Sequence, residues 1–271
     1  MLSAYAAFAG LRSFGLPDKI TSYAVAASVA AVVMLVEYFM PFRKDWGPGK
    51  KDFVTDALFL FFVQLMLPAL LAFSFHSLVN TYDLRVEYWP SQWPLVIQTA
   101  LMLVSAELLR YVMHRVAHEW APLWKLHSIH HAPKKVYWLN TARFHPLEKS
   151  MQFFLDSLPF IFLGISQEVL GAYFVFYAVN GFFQHSNVDV RLGYLNYIIS
   201  GPELHRWHHS VDVSEANHNY GNNLIVWDIV FGTWYLPKNR EVSELGVEEL
   251  NYEKESFWSL LCSPLKRLPK K

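Results

Sequence analysis

The sequence predicts an all-α fold, a polytopic membrane helical bundle with a cytosolic histidine-rich cap. Three features of its 271 residues lead there. Hydrophobic residues make up 53% of the chain and charged residues 17%, the balance of a membrane protein. Apolar runs of spanning length alternate with short basic or aromatic loops. All the histidines but His76 crowd between His114 and His218.

Composition also sets exclusions. The formal net charge is zero, so no basic field invites a nucleic acid. Cys262 is the single cysteine, which rules out an internal disulfide and a thiolate-rich cluster. Any metal must be held by imidazole and oxygen.

In chain order, residues 1–19 are short and mixed. The run from Ile20 to Met40 is longer than the ~7 to 15 residues of a signal-peptide core, and reads as an uncleaved spanning helix. A basic turn with Arg43, Lys44, Lys50 and Lys51 follows, then a second span from Phe53 to Val79 in which Pro68 predicts a kink. The stretch 80–94 places Trp89 and Trp93 where an interfacial aromatic belt would lie. A third span, from Leu95 to Met113, runs directly into the first histidines. The basic loop outweighs the one holding Arg85 between Asp83 and Glu87, so it and the histidines are expected on the cytoplasmic side. Residues 119–150 are too polar to span. Met151 to Phe183 is apolar but shorter than the ~40 residues that two crossings need, which predicts a tight helical hairpin returning His185 to the cytoplasmic side. The remainder is polar and aromatic, and ends in a basic run suited to anionic lipid. No internal repeat or low-complexity segment is visible.

The histidines form three groups: His114 and His118 in HRVAH; His127, His130 and His131 in HSIHH; His205, His208 and His209 in HRWHH. On a helix, residues three or four apart share a face, while neighbours diverge by about 100°. Each group can therefore aim two imidazoles at one point, and each adjacent pair can serve two points, which is ligand geometry for a di-metal site. Eight imidazoles packed without a cation would repel when protonated and lack partners when buried. His145, His185 and His218 follow the same course along the chain, whereas His76 sits alone in an apolar run. Carboxylates and amides placed to orient ligand rings are Glu107, seven residues before His114 on the same helical face, together with Glu148, Asn187, Asp189 and Asp228. Trp207, Trp227 and Trp234 read as interfacial anchors or core.

HRVAH, HSIHH and HRWHH, in that order with an apolar hairpin between the second and third, resemble the fatty acid hydroxylase and sterol desaturase superfamily of membrane di-iron oxygenases. FHPLE around His145, HSNVD around His185 and NYGNNLIVWDIVFGTW from Asn219 to Trp234 extend the resemblance over roughly residues 95 to 237. It implies a catalytic domain in 95–237, which hydropathy and polarity flank with N-terminal transmembrane helices and loops in 1–94 and a cytoplasmic tail in 238–271. It implies two iron ions that activate O2, held by His114, His118, His127, His130, His131, His205, His208 and His209, with His185 and His145 added. His218 and the acids and amides named above stand behind them, and no catalytic residue is implied beyond the ligands. Imidazole suits iron, zinc and copper alike, but zinc lacks the redox chemistry that attack on an unactivated C–H bond requires.

The expected activity is O2-dependent hydroxylation of a sterol or fatty-acyl type lipid. Desaturation or C-methyl oxidation by the same site is the nearest variant. No fused haem, flavin or iron–sulfur motif is apparent, so a separate electron-donor protein is expected, a b-type cytochrome or a ferredoxin with its reductase. From other classes, a metal transport or storage protein would carry ionisable residues along a path within its spans, and a bis-histidine haem protein would need one facing pair per haem.

Overall fold

A computed structural model describes residues 1–247 and 256–265, and among them the chain is helical, with isolated β-bridges but no strand. Three helices are long and apolar enough to cross a membrane. The first of these, α2 (Asp18–Phe39), starts after Pro17 with Asp18 in its first turn. The second is continuous from α3 (Lys50–Leu58) through a π-helical stretch (Phe59–Met66) into α4 (Leu67–Thr81). Pro68 cannot donate a backbone hydrogen bond, and the widened turns lie directly before it, so the irregularity sits N-terminal to the proline. The third, α5 (Leu95–Glu119), begins after Pro94 and carries His114 and His118 without a break.

The hairpin consists of α7 (Pro146–Asp156), the short α8 (Leu158–Phe162) and α9 (Gln167–Gln184), reversed at Gly164, whose φ is +86°. The mixed first residues form α1 (Leu2–Ser13), a helix not anticipated from their composition. Ala4 and Phe8 of α1 pack with Val25 of α2 and Ala172, Val175 and Val179 of α9. Contact there depends on small residues, as between helices in lipid: a Cβ on Gly171 would stand 2.9 Å from Ser22 Oγ. Arg12 bridges the carboxylates of Asp18 and Glu168 and ties the three helices at one end.

The other end carries the cap: α6 (Ala121–His131), α10 (Pro202–His208), α11 (Val213–Ala216), α12 (Val226–Val230) and α13 (Phe257–Cys262). Glu37, at the end of α2, accepts from the backbone N–H groups of Trp138 and Asn187, both at 2.7 Å. Buried Asp56 of α3 pairs with Arg143 at 2.6 Å and accepts from Tyr137. Removing one member would leave an unpaired buried charge, which costs about 3 to 5 kcal/mol.

One expectation needs correcting here. Trp89 is core, with its indole N–H on Gln98 Oε1 at 2.7 Å and its ring edge-on to Phe160, because the 80–94 loop folds back onto the hairpin; Trp93 remains half exposed. Within 238–271, Val242 and Leu245 pack against Trp207 and Val136, and Phe257 and Leu260 against Phe59 and Ile129. The basic run 266–271 lies outside the described residues.

Candidate metal centre

Nine histidines converge in two adjoining groups. His114, His118, His127, His131 and His208 form one, and His130, His185, His205 and His209 the other; within each, one ring nitrogen per residue lies within 4.8 Å of all the rest. Helix geometry explains the partition. Adjacent His130 and His131 diverge around α6 and enter different groups, and so do His208 and His209 at the end of α10. His114 and His118, four apart on α5, enter the same one.

Tautomers follow from what stands behind the rings. His114 Nδ1–H donates to the carbonyl of Tyr220 at 2.7 Å, His208 Nδ1–H to that of His218 at 2.8 Å, and His127 Nδ1–H to Glu148 Oε1 at 2.7 Å. A neutral ring with its proton on Nδ1 presents a bare lone pair at Nε2. Yet His114 Nε2 lies 3.0 Å from Nε2 of both His127 and His208. These contacts set lone pair against lone pair, and a cation shared between them removes the conflict. Protonation is a poor alternative, since burial holds His208 and His185 down at about 3.

The spacing discriminates among coordination geometries. Two nitrogens about 2.1 Å from one ion and at a right angle stand about 3.0 Å apart, whereas a tetrahedral pair stands about 3.4 Å apart. The nearest Nε2 pairs in the five-histidine group are 3.0 or 3.1 Å apart. Five imidazoles at that spacing suit one ion of coordination number above four better than a closed tetrahedral site. In the four-histidine group, His205 Nε2 lies 2.8 Å from His185 Nε2 and 3.0 Å from His209 Nε2.

Other candidates fall elsewhere. His145 stands outside both groups with its ring already engaged: it caps α7, Nδ1 accepting from Leu147 N at 3.1 Å, while Nε2–H donates to the carbonyl of Leu261 at 3.2 Å. His218 contributes its carbonyl, and its ring lies against Tyr235. Glu148 touches His127 directly. Glu107 instead receives the backbone N–H groups of Asn222 and Asn223, and Asp228 those of Tyr220 and Gly221. Both therefore shape the turn that presents the Tyr220 carbonyl, and neither meets an imidazole. Asn187 pairs with the backbone of Arg43 through both ends of its amide, and Asp189 is exposed, its charge acting on Arg206. His76 bonds to Gln167 on the hairpin, away from both groups.

Two orienting residues escaped the sequence reading. Asn140 Oδ1 faces His185 Nδ1 at 2.9 Å, and Asn217 Oδ1 faces His118 Nδ1 at 3.2 Å. Asn140 lies in a short 3-10 helix, Trp138–Ala142, too short to show periodicity in the sequence. Asn217 does adjoin His218 in EANHNYG, the one signal that could have singled it out.

A cavity of about 690 Å³ abuts the centre, within the range of small-ligand sites. His114 and His127 of one group and His130, His185 and His205 of the other border it. Tyr23, Ala26, Ala27, Ala30, Ala31 and Met34 form its α2 wall, and Arg110, Glu148, Gln152 and Tyr177 are among its polar lining.

The model of the fatty acid hydroxylase family matches residues 99–233. An ornithine lipid hydroxylase of Rhizobium tropici is 34% identical over 257 residues, 91% of this chain and 76% of that protein. An alkylglycerol monooxygenase of Danio rerio is 26% identical over 236 residues, 85% of this chain, and a methylsterol monooxygenase of Aspergillus fumigatus 25% identical over 175 residues, 60% of this chain. The chain spans 51% and 57% of those two relatives. No solved structure matches it.

Proposed function

The chain belongs to the fatty acid hydroxylase family, a membrane oxidoreductase of lipid oxygenation, and we propose that it hydroxylates a lipid C–H bond with O2 at a pair of iron ions. The reaction balances as R–H + O2 + 2 e− + 2 H+ → R–OH + H2O. The observation that carries this reading is that both histidine groups border one largely apolar cavity, so a lipid held there lies against both. Iron would supply the redox capacity that converts O2 into an oxidant for an unactivated C–H bond.

The chain's own residues set the conditions. The nine histidines offer imidazole nitrogens, and Glu148, Asn140, Asn217 and two backbone carbonyls hold ring orientations. Alanines 26, 27, 30 and 31 leave room beside α2 for an apolar chain. The substrate is a lipid of the sterol or fatty-acyl type, the relatives being named for an ornithine lipid, alkylglycerols and methylsterols. Their names favour oxygen insertion over desaturation. Residues 95–237 are the catalytic unit in this reading. The basic loop of Arg43 to Lys51 supports a cytoplasmic location for the cap, where a separate protein, a b-type cytochrome or a ferredoxin with its reductase, delivers the two electrons.

Cells expressing the chain under isotopically heavy O2 test this, with lipids compared by mass spectrometry against cells lacking it. A lipid that gains one heavy oxygen only when the chain is present is expected. Oxygen drawn from labelled water would contradict an oxygenase.

A further inference from the structure

Two buried acceptors beside the centre have nothing to accept. Glu148 Oε1 receives His127 Nδ1–H and, at 3.2 Å, Gln152 Nε2–H; its Oε2 has no partner among the described residues. The bond from Nε2 fixes the Gln152 amide, since the flipped form would set oxygen against oxygen. Gln152 Oε1 is therefore also left without a donor. Both side chains are almost wholly buried, at 2% and 3% exposure, and both border the cavity. Buried acceptors without a donor cost about 1 to 3 kcal/mol each and are uncommon, so a pair on two residues that line one cavity points to a ligand that completes them. The α2 wall of the cavity, by contrast, is alanine and methionine apart from Tyr23.

We propose that Glu148 Oε2 and Gln152 Oε1 receive the hydrogen-bond donor of an amphiphilic substrate, a hydroxyl, amide N–H or ammonium, and hold its polar end beside the five-histidine group. Regiochemistry follows. With its apolar chain running toward α2, the lipid presents carbon close to its polar group for oxidation, and mid-chain carbon lies away from the histidines. This rests on the lipid-oxygenase reading for the reaction, but not for the binding.

Binding is measured on the full chain, metal-loaded in lipid nanodiscs, with radiolabelled tetradecanol and tetradecyl methyl ether, which share a chain and differ in the donor. Wild type should prefer the alcohol by about tenfold. Gln152→Met should bring the ratio near one with metal content unchanged. Equal binding of the two probes, no saturable binding of either, or a ratio insensitive to Gln152→Met overturns the proposal. Fragmentation of any product from the heavy-O2 experiment should locate the label within a few carbons of the polar group, and label in mid-chain would contradict it. Discrimination between the probes without any oxygenated product would leave the subsite standing and remove the oxygenase reading.

Discussion

The five-histidine and four-histidine groups adjoin and share α6 and α10, yet they differ in what stands behind the rings. In the first, four rings have an outer partner: the carbonyls of Tyr220 and His218, the carboxylate of Glu148 and the amide of Asn217. In the second, Asn140 faces His185, while Nδ1 of His130, His205 and His209 is buried without a partner among the described residues. His130 is oriented by packing instead, stacked on Phe144 with centroids 4.3 Å apart. Hydrogen-bonded outer partners fix tautomer and ring angle and raise ligand basicity. The contrast teaches that one ion should be firmly held and the other more exchangeable, within a single centre.

The largest effects should come from breaking either group. His131→Ala and His209→Ala, one from each, should abolish turnover and lower bound metal, because the remaining imidazoles satisfy the ion with poorer geometry. His76→Ala should leave metal content and turnover near wild type, which controls for general damage to a membrane protein. If the two ligand variants fold, keep full metal and turn over normally, the grouping is wrong. Smaller effects separate the groups from each other. Asn140→Ala removes the one side-chain partner seen in the four-histidine group and should weaken one ion by about 10- to 100-fold. Asn217→Ala removes one of four in the other and should cost less. Chelator titration followed by metal analysis reads the order, and equal losses would erase the asymmetry.

These differences show how much the sequence could reveal. The divergence of His130 from His131 is a property of the helix itself, so their separation into two groups follows from spacing. Spans were legible for the same reason: Ile20 to Met40 was expected where α2 runs Asp18–Phe39, and the third span was expected to run into the histidines as α5 does. Of the outer partners Glu148 was legible and the others were not, because Asn140 in a short 3-10 turn and Asn217 and Tyr220 in loops reach the rings from segments whose course depends on distant contacts, such as Glu107 on the turn at Asn222. Trp89 and His145 misled for a related reason. Each is a residue type suited to the expected role, turned to another by a neighbour far along the chain, Phe160 in one case and Leu261 in the other.

The central claim is that neighbouring histidines serve different ions. Anomalous diffraction at the iron edge from crystals of the metal-loaded protein tests it most directly. Wild type should show two peaks, one among His114, His118, His127, His131 and His208 and one among His130, His185, His205 and His209. His131→Ala should weaken the first selectively, and His130→Ala the second. A single peak, or two peaks that weaken together in both variants, would contradict it.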